Sequence, residues 1–211
     1  MSLYKSKSKT VSIVLPTYNR ANLIGRGIDS IINQSYKNWE LIIVDYGSTY
    51  NTKEILKPYL DTIKNIKYHF HSNRGVAITM NMGIKLSTGD YITFLGSDDE
   101  YMNNHLDLRV KYFESHLKVD VLHSTAKIIG DEFVKDKNDL SKKIHLNECI
   151  LGGTLFGKRK VYEKLGGFKK LSYSPESEFV ERAKKRFDLV KINEPTYIYY
   201  RDTPDSICNN I

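Results

Sequence analysis

A chain of 211 residues, 40% hydrophobic and 27% charged, suits one soluble domain with a substantial buried core. No apolar run reaches the length of a membrane span, and Met1 to Thr10 lacks the apolar centre of a signal peptide. The net charge of +7 is uneven: 16 Lys and Arg stand against 10 Asp and Glu between Ser124 and Lys191, while the remainder is nearly neutral. Such an excess suits nucleotide phosphates, peripheral contact with an anionic membrane or a solvated lysine-rich face. No nucleic-acid motif accompanies it. Cys149 and Cys208 are too few for a disulfide framework or a metal quartet, so free thiols in a reducing cytoplasm are expected.

Residues 1–10 read as a flexible, solvated leader. Val11 to Leu15 is a β-branched run stopped by Pro16, which predicts a buried parallel strand. A helix follows, with Asn22 as its cap and Leu23, Ile24, Ile28, Ile31 and Ile32 at helical spacing. Leu41 to Val44 predicts the next strand, Thr52 to Leu60 a helix, Ile66 to Phe70 a strand and Val76 to Leu86 a helix. Thr88-Gly89-Asp90 turns the chain into the apolar run from Tyr91 to Leu95. Asn103 to His116 reads as helix and Val119 to Leu122 as strand. Four strand–helix alternations argue right-handed βαβ units and a mainly parallel, doubly wound α/β sheet with helices on both faces.

Beyond His123 the pattern loosens. Lys135 to Lys143 reads as a polar loop, with short strands near Ile144 and Leu155 and a helix near Lys160 to Lys164. A further helix over Glu176 to Arg186 and a last strand, Thr196 to Tyr200, predict a small antiparallel extension at the C-terminal end. His123 reads as structural and Cys149 as a small buried apolar residue; Tyr197, Tyr199 and Tyr200 are expected to pack on the sheet.

The Tyr91 strand runs straight into Gly96-Ser97-Asp98-Asp99-Glu100. In open α/β sheets the carboxyl ends of the strands are where ligands bind. Adjacent carboxylates there repel one another unless solvated or holding a cation, and oxygen ligands suit Mg²⁺ or Mn²⁺. The same residues also suit an acidic helix start, with Ser97 or Asp98 as cap. The first strand is followed by Pro-Thr-Tyr-Asn rather than Gly-x-Gly-x-x-Gly, which argues against a dinucleotide-binding dehydrogenase.

Four strand ends, taken in order, carry a resemblance. Val14-Leu15-Pro16-Thr17-Tyr18-Asn19-Arg20, Val44-Asp45-Tyr46-Gly47-Ser48, Asn73-Arg74-Gly75 and Ser97-Asp98-Asp99 together resemble the inverting GT-A glycosyltransferases of the family-2 type. The likeness continues through Leu151-Gly152-Gly153-Thr154, Gly166-Gly167-Phe168 and Glu176-Ser177-Glu178. It implies a single GT-A domain in which residues 11–123 bind the nucleotide-sugar and residues 124–211 bind the acceptor. It implies a metal-dependent transfer of one sugar from a nucleoside-diphosphate donor, UDP-linked, to a hydroxyl on a glycan or lipid-linked acceptor. Asp99, with Asp98 beside it, matches the metal-binding motif for Mn²⁺ or Mg²⁺. Thr17, Tyr18 and Arg20 match the first nucleotide loop, Asp45 and Tyr46 the second, and Arg74 a third.

Glu176 is implied as the general base, with Glu178 its nearest rival. Acids at a helix start also serve simply as caps. In a single in-line displacement no covalent sugar intermediate forms, so no second carboxylate nucleophile is needed. The sequence departs from the pattern at Tyr46 and Gly96, where relatives carry acids, and at Thr203, where many carry His. The first two motivate an alternative, a catalytically weak nucleotide- or glycan-binding module. A Gln-x-x-Arg-Trp run associated with processive synthesis is missing and Trp39 is the one Trp, so single additions are expected.

Overall fold

The computed structural model describes residues 8–49, 51–171 and 174–202. The first half follows the predicted alternation: β1 (Val11–Thr17), α1 (Ile24–Ile32), β2 (Trp39–Asp45), α2 (Thr52–Thr62), β3 (Ile66–Phe70), α3 (Val76–Leu86) and β4 (Tyr91–Phe94). A two-residue β5 (Glu100–Tyr101) precedes α4 (His105–Ser115), β6 (Val121–Ser124) and β7 (Lys127–Ile129). A hairpin of β8 (Phe133–Asp136) and β9 (Asp139–His145) comes next. β10 (Phe156–Lys158), α5 (Arg159–Leu165), α6 (Pro175–Lys184), β11 (Leu189–Ile192) and β12 (Tyr197–Tyr200) complete the described elements.

Seven strands stand in the order β11-β6-β10-β4-β1-β2-β3, and every pairing is parallel except the two made by β10. Strand side chains alternate between faces, and β1 divides the core accordingly. Val11, Ile13 and Leu15 pack with Ile24, Ile28 and Ile31 of α1, Leu56 of α2 and Phe113 of α4. Val14 packs on the other face with Met80 of α3, Tyr162 of α5 and Phe179 of α6. Helices therefore cover both faces, as the alternation predicts. β12 forms a smaller sheet, antiparallel to β5 and parallel to β7.

Several local expectations need correction. β1 runs through Pro16 to Thr17. The Val14 carbonyl accepts from Leu95 N–H at the end of β4, so Pro16, two residues on, faces that side where β4 has already stopped. Its missing N–H costs the ladder nothing. Asn22 does not cap α1: Leu23 holds the cap position with no side-chain bond. The polar loop expected over Lys135 to Lys143 is the β8–β9 hairpin, whose alternation is masked by four lysines. β5 and β7 are too short to register as periodic runs, and Lys191 interrupts the apolar run of β11. The leader is tied down where it is described: Lys9 pairs with Asp90 at 3.1 Å and Asn38 Nδ2 donates to the Ser8 carbonyl at 2.8 Å. Cys208 and Thr203 lie outside the described residues.

Candidate active site

Three loops at the carboxyl ends of β1, β2 and β4 meet over one cavity of about 860 Å³. The first two loops are laced together. Tyr46 N–H donates to the Thr17 carbonyl at 3.1 Å, Asn19 N–H to Ser48 Oγ at 2.9 Å, and Thr49 N–H to Asn19 Oδ1 at 2.9 Å. This lacing stacks the rings of Tyr18 and Tyr46, with centroids 5.2 Å apart and planes 20° apart, and both rings line the cavity. Arg20 lines it too, with Nε 4.0 Å from Asp98 Oδ2.

Asp98 and Asp99 part company. Asp98 lines the cavity, whereas Asp99 turns inward and is 3% exposed. The Tyr197 hydroxyl donates to Asp99 Oδ2, and Tyr200 N–H donates to Oδ1 at 2.9 Å. Burial and the neighbouring Asp98 charge push the Asp99 carboxyl up to about 8, against these two donors and the pull of Arg26. Arg26 donates to the Asp98 carbonyl and lies 3.6 Å over the Tyr200 ring, while the Tyr200 hydroxyl donates to Glu100. The acid run is thus balanced from within by two arginines and two tyrosines. It is not a helix start, because a turn and β5 stand between it and α4.

Glycines let these groups approach. A Cβ on Gly96 would lie 2.4 Å from Asp99 Oδ2, and one on Gly153 only 2.1 Å from the Tyr197 ring. Gly152 is pressed likewise against Glu176, where a Cβ would sit 2.9 Å from Cγ and 3.0 Å from Oε1. Glu176, in the first turn of α6, lines the cavity. Surrounding protein raises its carboxyl above the ordinary range by burial, opposed only by its own backbone N–H. Glu178 is occupied elsewhere: Arg182 Nε meets its Oε1 at 2.7 Å and Lys169 Nζ at 2.8 Å. Burial nudges Glu178 up, and these two cations outweigh it and hold its carboxyl low.

The remaining sequence candidates lie apart from this cavity. Asp45 is 1% exposed and spends its carboxylate on Gly47 and Ser48 N–H groups (3.1 and 2.8 Å) and on the Tyr68 hydroxyl at 2.9 Å. It borders a separate depression of about 350 Å³ with Lys53 and Phe70. Thr17 is buried beneath the loop, its hydroxyl without a partner among the described residues. Arg74 is exposed and borders neither cavity. Cys149, expected to be buried, is half-buried and faces the main cavity, because the short 3-10 turn after β9 carries it to the wall.

Comparison with known proteins places this arrangement. The profile described as Glycosyl transferase family 2 matches residues 12–202. The chain belongs to that family. It is 41% identical over 109 residues to an uncharacterised glycosyltransferase of Haemophilus influenzae, covering 51% of this chain and 44% of that protein. It is 28% identical over 201 residues to the glycosyltransferase GlyA of Streptococcus pneumoniae, covering 89% of this chain and 27% of GlyA. The chain thus spans less than half the length of either relative. Among solved structures, TarS residues 1–349 of Staphylococcus aureus, in complex with UDP-GlcNAc, match with a TM-score of 0.77 at 19% identity, covering 94% of this chain and 60% of that one. The mannosyltransferase PcManGT of Pyrobaculum calidifontis, in complex with GDP-Man and Mn²⁺, matches at 0.76 and 20% identity, covering 97% and 60%. These two likenesses establish the GT-A fold.

Within the family-2 frame, the sequence motifs do not single out Arg26, Tyr197 or Tyr200. The two tyrosines lie in the Thr196 to Tyr200 strand, where packing is the expected role. Tyr197 does pack, against Tyr101, and its hydroxyl also secures Asp99. The foot of that strand is held by the fully buried Arg109, which donates to Thr196 Oγ1 and Ser124 Oγ, both at 2.7 Å.

Proposed function

We propose that this domain is an inverting, metal-dependent glycosyltransferase that moves one sugar from a nucleoside-diphosphate donor to an acceptor hydroxyl. The observation that carries it is that Asp98 and Glu176, from opposite halves of the chain, line one cavity. One carboxylate is set beside Arg20 at the nucleotide loops; the other is raised in pKa beside the Gly152 turn.

Asp98 suits Mn²⁺ or Mg²⁺, which take few protein ligands when phosphate oxygens supply the rest, whereas Asp99, the principal ligand that the resemblance implies, has both oxygens held by Tyr197 and Tyr200. Among the described residues no three His, Cys, Asp or Glu side chains cluster as a ligand set. The cation's chemistry there is Lewis-acid neutralisation of charge on the departing diphosphate. The stacked Tyr18 and Tyr46 offer a flat apolar face to the nucleobase, and Arg20 a cation to the diphosphate. A uracil base, as in the UDP-GlcNAc complex of TarS, is our first choice. Glu176 accepts the proton of the acceptor hydroxyl as that oxygen bonds to the anomeric carbon. The bond from that carbon to the diphosphate oxygen breaks, its electron pair leaves with the diphosphate, and the configuration inverts.

The alternative, a catalytically weak binding module, rests on Gly96 and Tyr46. Gly96 is required by the close approach of Asp99, so it carries no sign of lost function. Thermal unfolding with UDP and with GDP, each with and without Mn²⁺, tests the reading. A ligand at 100 times its dissociation constant stabilises by about 2.7 kcal/mol. A shift that needs both nucleotide and Mn²⁺ is expected; none with either nucleotide would refute donor binding.

A further inference from the structure

The cavity is larger than its nucleotide end. Its other half is walled by Val134, Ile144, Leu146, Ile150 and Val180, with Leu171 at the rim and 44% exposed. Glu176 and Gly152 line the same cavity. These aliphatic side chains offer a sugar no donor or acceptor, and specificity for hydroxyls needs placed polar groups.

The charge on the wall is matched internally. Lys135, Lys137 and Lys184 line it, and so do Asp136, Glu148 and Glu181, so the signs are equal in number. Lys137 meets Glu181 at 2.7 Å, and on the adjoining hairpin Lys142 meets Asp139 at 3.1 Å and Lys143 meets Asp131 at 4.0 Å. The basic excess counted in the sequence is therefore not focused on this wall, and an anionic headgroup gains nothing net from it. We propose that this half binds an uncharged hydrocarbon chain of the acceptor, an alkyl glycoside in chemical class, and presents its sugar hydroxyl to Glu176. The inference rests on the transferase reading and specifies its acceptor.

Cys149 on the cavity wall supplies the reporter. In a Cys208→Ser background, the rate of Cys149 labelling by iodoacetamide should fall when hexyl, octyl or decyl maltoside is added below its micellar concentration. Burying a methylene changes affinity by roughly fourfold, so each two-carbon extension should lower the half-protecting concentration about fifteenfold. Maltose should give no protection. Ile144→Asn, at a half-buried wall position, should abolish protection while keeping the melting temperature and the nucleotide-dependent shift; Ile150→Asn serves if that variant unfolds. No protection by decyl maltoside, or protection unchanged in the Asn variant, overturns the proposal. So does stronger protection by decyl phosphate than by decyl maltoside, which would require a charged headgroup. A normal Mn²⁺- and nucleotide-dependent shift in the same protein leaves donor binding standing when the alkyl arm fails; loss of that shift brings down the transferase reading instead.

Discussion

The Tyr197 hydroxyl donates to Asp99 Oδ2 across 98 positions of sequence. That bond joins the end of β4, which carries the acid run, to β12, the last described strand. With Tyr200 N–H on the other oxygen, it holds a carboxylate that burial alone would make costly. Tyr197→Phe keeps the ring and removes one donor. Leaving a buried acceptor short of a partner costs about 1–3 kcal/mol. Urea unfolding should show that loss at unchanged m-value, and full stability in the Phe variant would mean that Asp99 finds a replacement donor.

Gly152 and Glu176 predict a different phenotype. A methyl group at 152 meets the Glu176 side chain at 2.9 Å, and a side chain can yield where backbone cannot. Gly152→Ala should therefore displace Glu176, the proposed base, without unfolding the domain. The expected signature is a fall in kcat of roughly 10²-fold, the scale of a misplaced catalytic group, with donor affinity unchanged. Gly153→Ala, 2.1 Å from the fixed Tyr197 ring, should instead lower the melting temperature. Equal kinetic effects from both substitutions would deny Glu176 its role.

Glu176 and Glu178 stand two residues apart on α6 and should separate cleanly. Burial raises the Glu176 carboxyl, so its folded form holds the proton to higher pH than an unfolded carboxylate does. The charged form is thus disfavoured by folding: stability is greatest below the unfolded pKa and declines as pH rises toward the folded one. Activity runs the other way, since only the ionised carboxylate accepts a proton, and kcat should fall with acid at a pH above the ordinary carboxylate range. Glu176→Gln should abolish transfer, keep donor binding and raise the melting temperature at pH 7. Glu178→Gln should do the reverse: it breaks the contacts to Arg182 and Lys169 and leaves the pH profile of kcat in place.

The sequence carries most of the frame and part of the site. β1 and β2 announce themselves because apolar, β-branched runs ended by polar loops suit buried strands and little else, and β3 because Ile66, Tyr68 and Phe70 alternate with polar residues. The Asp98-Asp99 pair and Glu176 are visible because each is an acid run at an element boundary. Arg26 is not, since it lies on a helix whose other signals are all apolar, and its contact with Asp98 spans 72 positions. Asp45 shows the opposite failure. Its place at a strand end is right, yet the Asx turn it makes with Gly47 and Ser48 consumes the side chain. A motif gives the residue type and the loop; the direction of the carboxylate depends on neighbours brought in by β3, here Tyr68.

Far from the cavity, Glu40 pins the opposite ends of the strands. Its Oε1 accepts from Ser12 Oγ at 2.7 Å and from Thr88 N–H and Oγ1 at 2.6 and 2.8 Å, while Oε2 meets Lys67 Nζ at 2.8 Å. Burial pushes the carboxyl up, but Lys67, Ser12 and Thr88 outweigh it and bring it from 4.5 to about 2. A lowered folded pKa stabilises above the unfolded value and is lost as pH falls from about 4.5 through about 2. Lowering a pKa by one corresponds to about 1.4 kcal/mol, and solvent around the half-exposed Lys67 trims the whole to about 2 kcal/mol. Glu40→Gln should therefore unfold at lower urea concentration at pH 7, and its deficit relative to the parent should shrink toward pH 2. Lys67→Met should show a smaller loss with the same pH trend, because the hydroxyl and amide donors remain. A deficit that stayed constant across that acid range would mean that hydrogen-bond geometry, not the charge on Glu40, holds the strand ends together.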